Sequence, residues 1–268
     1  TPEDSAKAVV SLKKAVELDP NFGRSYAVLS AVFWDSTMMP ALLKGLGVPW
    51  HEARARSVQY LQKATKDSIT HYVKSRMYVQ RRQHQEAISE LERGLALDPN
   101  DPVCHLNMGY VLTMAGRPKE AIEYLSRGMR LDPHNPSRYL SNLGFAHFCT
   151  GELEEAAGLV EKAMRLNPEN APSFMGWFAA YYALLGRDQE ARATLKTVRK
   201  KVLGAPNTGN VRDLMFTKPF KDRALADRYV EGLLKAGMPG QPSGYLPAFK
   251  ENQLTGEKIK SLLFGSAI

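Results

Sequence analysis

Leu97-Asp98-Pro99 returns as Leu131-Asp132-Pro133 and again as Leu166-Asn167-Pro168, so one punctuation mark recurs after 34 and then 35 residues. Between these marks Gly109, Gly144 and Ala179 stand 35 apart, as do Gly116, Gly151 and Gly186, and Ala121, Ala156 and Ala191. Each interval holds two amphipathic helical patterns: Pro102 to Ala115 with Pro118 to Leu131, Asn135 to Cys149 with Glu152 to Leu166, and Ala171 to Leu185 with Asp188 to Val202. A helix pair that recurs at this period buries its apolar side against the next pair, so the expected architecture is a stack of helix pairs, not one closed globule. Asp98, Asp132 and the prolines after them are expected to stop helices. Gly116, Gly151 and Gly186 permit the tight reversal inside each pair.

The placing of small and large residues resembles the tetratricopeptide repeat (TPR) family. One unit supplies Gly109, Leu112, Ala121, Leu125, Gly128 and Pro133; the next supplies Gly144, His147, Ala156, Val160, Ala163 and Pro168; the unit before has Tyr78, Ala87, Leu91, Gly94 and Pro99. Small residues let two helices approach while large ones fill the space between them, which is a packing code and not a catalytic one. The resemblance implies an all-α fold: a right-handed TPR superhelical solenoid of about five helix-turn-helix repeats, ended by a C-terminal capping helix. The expected organisation is 1–203 solenoid, 204–240 loop and capping helix, and 241–268 linker with a short amphipathic segment.

Working outward toward the N-terminus, His84 to Leu97 pairs with Ile69 to Gln83, and His51 to Lys66 with Arg24 to Asp35. Ser5 to Leu18 looks like the second helix of a further repeat. The first pair is interrupted at residues 36–50 by an apolar insertion bounded by Pro40 and Pro49. Met38, Met39, Leu42, Leu43, Leu46 and Trp50 would make a large exposed patch there, so the insertion is expected either to cover the end of the solenoid or to bind a partner. Toward the C-terminus, Gly204 to Asn210 reads as a loop, and Arg223 to Ala236 as an amphipathic helix of the kind that covers a last repeat. Gln241 to Pro247 reads as a linker. The side formed by Ile259, Leu262, Leu263 and Phe264 has the character of a groove ligand. The start at Thr1 and the apolar end at Ile268 suggest a piece of a longer protein.

A narrower resemblance lies in Pro219-Phe-Lys-Asp222 and in Asp227-Arg-Tyr-Val-Glu-Gly-Leu-Leu-Lys-Ala-Gly-Met-Pro239. This stretch is similar to the end of the TPR region of bacterial proteins that carry an N-terminal class III adenylate/guanylate cyclase domain. The resemblance implies a sensing or interaction region beside an enzyme. No cyclase residues stand in this chain, so no catalytic residue is carried over.

The chain of 268 residues is 44% hydrophobic and 24% charged, with a formal charge of +8 and a pI near 9.4. That balance favours acidic partners without choosing nucleic acid over protein. No apolar run is long enough to span a bilayer. Cys104 and Cys149 occupy different places on successive first helices, which points to free thiols, a reducing compartment and a cytoplasmic location. The six histidines are scattered, with no Cys/His spacing for zinc, no nucleophile elbow and no phosphate loop, so neither cofactor nor metal nor enzymatic activity is expected.

The expected function is therefore non-catalytic binding of a protein or peptide in the groove lined by the first helices, as a regulatory part of a signalling protein. Helical spacing turns Tyr72, Arg76, Leu106, Asn107, Tyr110, Asn142, Phe145, Phe148 and Trp177 into that groove. Asn107 and Asn142 are repeat-equivalent, and with Arg76 and Arg138 they form part of a carboxylate clamp whose full set is missing. Some of the rings are open to packing against the next repeat or the chain's own tail. The rival readings are a nucleic-acid surface built on Lys74, Arg76, Arg81 and Arg82 or on Arg192, Lys196, Arg199, Lys200 and Lys201, and a homodimer formed through the insertion or the tail.

Overall fold

The computed structural model describes residues 2–37, 40–168, 171–201, 211 and 218–240. These form thirteen helices and, among the described residues, no strand. In chain order they are α1 (Pro2–Leu18), α2 (Gly23–Ser36), α3 (Pro40–Leu46), α4 (Trp50–Lys63), α5 (Ser68–Gln80), α6 (His84–Leu97), α7 (Pro102–Met114), α8 (Pro118–Leu131), α9 (Pro136–Thr150), α10 (Leu153–Leu166), α11 (Ala171–Leu184), α12 (Asp188–Lys201) and α13 (Arg223–Lys235).

Five antiparallel pairs follow: α2/α4, α5/α6, α7/α8, α9/α10 and α11/α12. The small residues of the repeat are what let each pair close. A Cβ added at Gly144 would stand 2.3 Å from Val160 Cγ2 and 2.9 Å from the Ala156 carbonyl, so α9 and α10 touch nearly backbone to backbone there. Ala179, in the same repeat column, is completely buried. Pro102, Pro118 and Pro136 each open a helix, where the missing N–H costs nothing. Asp67, Asp101 and Asp222 accept hydrogen bonds from the free amides of the first turns of α5, α7 and α13.

The first helix of each pair also packs on the first helix of the next, α2 on α5, α5 on α7, α7 on α9 and α9 on α11. This side-by-side row is the inner wall of the solenoid. Its cost to the sequence-based groove is plain: Tyr72, Leu106 and Asn107, all placed on the open face by helical spacing, are buried.

At the N-terminal end, Leu43, Leu46 and Val48 from the insertion pack with Val9, Leu29, Phe33 and Ala53, so this part of the insertion lies over the end of the stack. Met38 and Met39 lie outside the described residues, as do residues 241–268 with the expected linker and greasy tail, and most of residues 202–217. Cys104 and Cys149 are free thiols, Cys104 buried and Cys149 partly so.

Candidate binding groove

The C-terminal half of the inner wall is filled by the chain itself. Residues 218–238 leave the repeats, cross the ends of α5, α7 and α9, and continue as α13 packed on α11. Phe220 stands 5.8 Å from Phe145, 6.3 Å from Trp177 and 6.0 Å from Tyr229, ring centre to ring centre. Trp177 lies 4.0 Å from Phe145 and 4.8 Å from Tyr229, while Phe148 stacks on Tyr181 at 4.8 Å. Phe145, Phe148 and Trp177, expected to face a ligand, are thus buried beneath Phe220 and Tyr229. Burial of rings of this size stabilises by about 2 kcal/mol or more each, so the covering segment is held firmly.

Its backbone is held as well. The Phe220 carbonyl accepts from Arg82 Nη1 at 2.7 Å, and the Pro219 carbonyl from His84 Nε2 at 2.6 Å. The Lys221 amide donates to the Met114 carbonyl at 2.8 Å, one of the acceptors left over at the end of α7. A carbonyl can only accept, so His84 carries its proton on Nε2. Burial lowers the pKa of its imidazole, which favours this neutral form. Farther along, Arg228 donates to the Phe148 carbonyl, and Gly232 lets α13 rest on α11: a Cβ there would be 2.7 Å from the Ala180 carbonyl.

Arg82 has a backbone φ of 60°, while Gly116, Gly151 and Gly186 hold the same left-handed turn at φ 82°, 96° and 75°. It lies 34 residues before Gly116, in the glycine column of the repeat. A non-glycine residue pays about 1 kcal/mol for this conformation. What the arginine supplies in return is the guanidinium that grips Phe220. The column was visible in the sequence, and an arginine in a glycine column was the signal for this contact.

The N-terminal half of the wall has a different character. The Tyr72 hydroxyl donates to Asp35 Oδ2, and Arg76 pairs with Asp35 Oδ1 at 3.6 Å. Arg76 also lies over the Tyr110 ring at 5.4 Å. Burial first and the Asp35 carboxylate second raise the Tyr72 phenol far above its ordinary pKa. Arg138 is exposed at the rim and Asn142 half-exposed. The side-chain amides of Asn107 and Asn142 both donate to carbonyls one turn back in their own helices, those of Val103 and Arg138. The structure therefore brings Tyr72 and Arg76 together around Asp35, with Tyr110 beside Arg76, while Phe145, Phe148 and Trp177 of the same core lie under the cover. Trp34, Asp35 and Arg54, absent from the sequence-based set, complete this half.

Two tetratricopeptide-repeat family models match the sequence, one over residues 78–142 and one over residues 137–170. The fold is a tetratricopeptide-repeat solenoid. Solved structures similar to it include the APC/C hetero-tetramer Cut9-Hcn1, at 15% identity and TM-score 0.55 over 86% of this chain and 39% of that one. A thermophilic TPR protein of Thermus thermophilus follows at 19% identity and TM-score 0.51, over 75% of this chain and 99% of that one. PilW, a type IV pilus biogenesis factor, is similar at 18% identity and TM-score 0.50, over 78% and 93% of the two chains. At these identities the likeness is one of fold. No curated protein matches the sequence. Among the described residues of the TPR solenoid, no helix is long and apolar enough to cross a membrane.

Proposed function

We propose that this solenoid is a non-catalytic protein-interaction module that receives a peptide or helix in the N-terminal half of its inner wall, around Tyr72, Arg76 and Tyr110. TPR proteins generally mediate protein–protein interactions. The observation that carries the reading for this chain is how the wall treats its own residues 218–222. It grips their backbone with Arg82, His84 and the Met114 carbonyl and seats Phe220 among rings, which is how a docked peptide is held. The similarity of Pro219 to Asp222 to the end of cyclase-linked TPR regions extends the proposal to a regulatory part of a larger signalling protein.

The test is selection of a random peptide library against the immobilised full chain. Enriched sequences should bind at micromolar strength and lose about tenfold on Tyr110→Ala, with no change on Arg192→Glu at the outer helix α12. The reading fails if nothing is enriched, or if enriched sequences bind Tyr110→Ala as well as the parent. Loss on Arg192→Glu with a steep salt dependence would transfer the function to a nucleic-acid surface.

A further inference from the structure

A second recess lies away from the inner wall, between the outer helix α10 and the turn that joins α11 to α12. This open cleft of about 370 Å³ is lined by Glu154, Ala157, Gly158 and Glu161 of α10 and by Leu185 and Arg187 of the turn. Its floor is bare because the repeat loses side chain there. The positions of Ala157 and Gly158 are held by Ile122 and Glu123 in α8 and by Ile88 and Ser89 in α6. No close packing calls for the glycine, since nothing lies within 4 Å of a Cβ added at Gly158. A glycine inside a helix weakens it, so the bare floor does not serve the fold.

The charges of the cleft decide what it can take. Arg187 donates to both oxygens of Glu190, and from Nη1 to Glu161 Oε1 at 3.0 Å; its guanidinium also lies 4.3 Å from the Tyr182 ring centre. The Tyr182 hydroxyl donates to the same Glu161 oxygen at 3.0 Å. The arginine is thus committed to two carboxylates. Among the described residues, exposed Glu154 forms no ion pair and Glu161 Oε2 accepts no hydrogen bond. An anion entering the cleft would meet these carboxylates, whereas a cation would pair with them.

Spacing narrows the ligand further. Glu154 and Glu161 stand seven residues apart, two turns and about 10 Å along α10, with Gly158 between them. In an extended peptide of polyproline type, side chains three residues apart share one side at about 9 Å. We propose that the cleft binds a basic segment of a partner protein with arginines three residues apart, one on Glu154 and the other on Glu161, its middle lying over Gly158 against Ala157 and Leu185. The site is independent of the groove around Tyr72.

The test is titration of the nitrogen-15-labelled full chain with a capped Ala-Arg-Pro-Pro-Arg-Ala peptide, followed at the Gly158 amide resonance. The same peptide with citrulline for arginine keeps the shape without the charge. The arginine peptide should bind about fivefold tighter, and Glu154→Gln should cut that advantage to about twofold; raised salt should shrink it as well. Gly158→Leu fills the floor and should abolish binding of the arginine peptide, while its thermal midpoint rises because leucine is the better helix former. Tyr110→Ala should leave this binding unchanged, which separates the cleft from the groove. Equal affinity for the two peptides, or undiminished binding to Gly158→Leu, would overturn the assignment, as would a Gly158 resonance that neither peptide moves. Spermidine binding as tightly as the arginine peptide would overturn the peptide partner in favour of a free polyamine.

Discussion

The two halves of the inner wall are built by one repeat and have opposite fates. In the C-terminal half, Phe145, Phe148 and Trp177 form an apolar surface that residues 218–238 of the same chain cover, ring on ring. In the N-terminal half, the corresponding inner helices carry Asp35, Tyr72, Arg76 and Tyr110, whose polar and charged atoms satisfy one another only in part. Apolar rings at a groove are stable once an apolar cover reaches them, whereas buried polar groups that satisfy one another only in part remain costly. The difference teaches that the repeat supplies a groove but not its ligand. Local residues decide what lines each stretch of the wall, rings that the chain covers with Phe220 and Tyr229 or polar groups gathered on Asp35.

The largest effect should come from the cover. Phe220→Ala is expected to cost about 3 kcal/mol or more in unfolding free energy, and to shift Trp177 emission to the red as water reaches the ring. An unchanged denaturation midpoint would mean that the segment only rests on the wall. Gly232→Ala, which pushes a methyl into the Ala180 backbone, should cost about 1–3 kcal/mol and speed amide exchange at Lys221 and Met238 without loosening α5 to α8.

Arg82 sharpens the comparison, because it trades backbone strain for a grip on the cover. Arg82→Ala keeps the strained turn and loses the guanidinium. Arg82→Gly loses the guanidinium but relaxes the turn, so it should be more stable than the alanine variant by about 1 kcal/mol in urea denaturation. If alanine and glycine behave alike, the φ of 60° carries no strain worth the name.

Much of the fold was legible because the packing code repeats. Gly144 and Val160 announce a close helix pair wherever they occur, and the ends of α5 to α10 fall within a few residues of the places set by Leu-Asp-Pro and the turn glycines. The binding face was legible only in part. Helical spacing shows which side of α9 and α11 turns away from α10 and α12, but not what lies above it. For Phe145 the answer stands 75 residues downstream at Phe220, and the bond from Arg82 to Phe220 spans 138 residues. The charged half was hidden for another reason. Trp34 and Arg54 belong to the first pair, where the insertion breaks the period and no neighbouring unit repeats them.

The smallest expected effect is one of pH. His84 faces Arg82 and Lys221, and donates to the Pro219 carbonyl; burial holds its folded pKa below the ordinary 6.5. His105, donating to the Pro99 carbonyl near Arg127, Asp98 and Asp101, is lowered in the same way. The unfolded chain therefore binds more protons as pH falls below about 6.5, and stability declines from there until the folded pKa values are passed. Thermal melts between pH 7 and pH 5 should show this slope, reduced in His84→Gln. A slope identical in that variant would mean that His84 is not neutral in the folded groove.

The most direct test of the contrast between the halves is amide hydrogen exchange of the full chain, with and without a saturating peptide enriched from the random library. Protection should rise in α2, α5 and α7, while exchange of the Lys221 amide, bonded to the Met114 carbonyl, stays as it was. Faster exchange at Lys221, with new protection in α9 and α11, would show that the ligand displaces the chain's own segment, contradicting the division of the wall into a filled half and a receiving half.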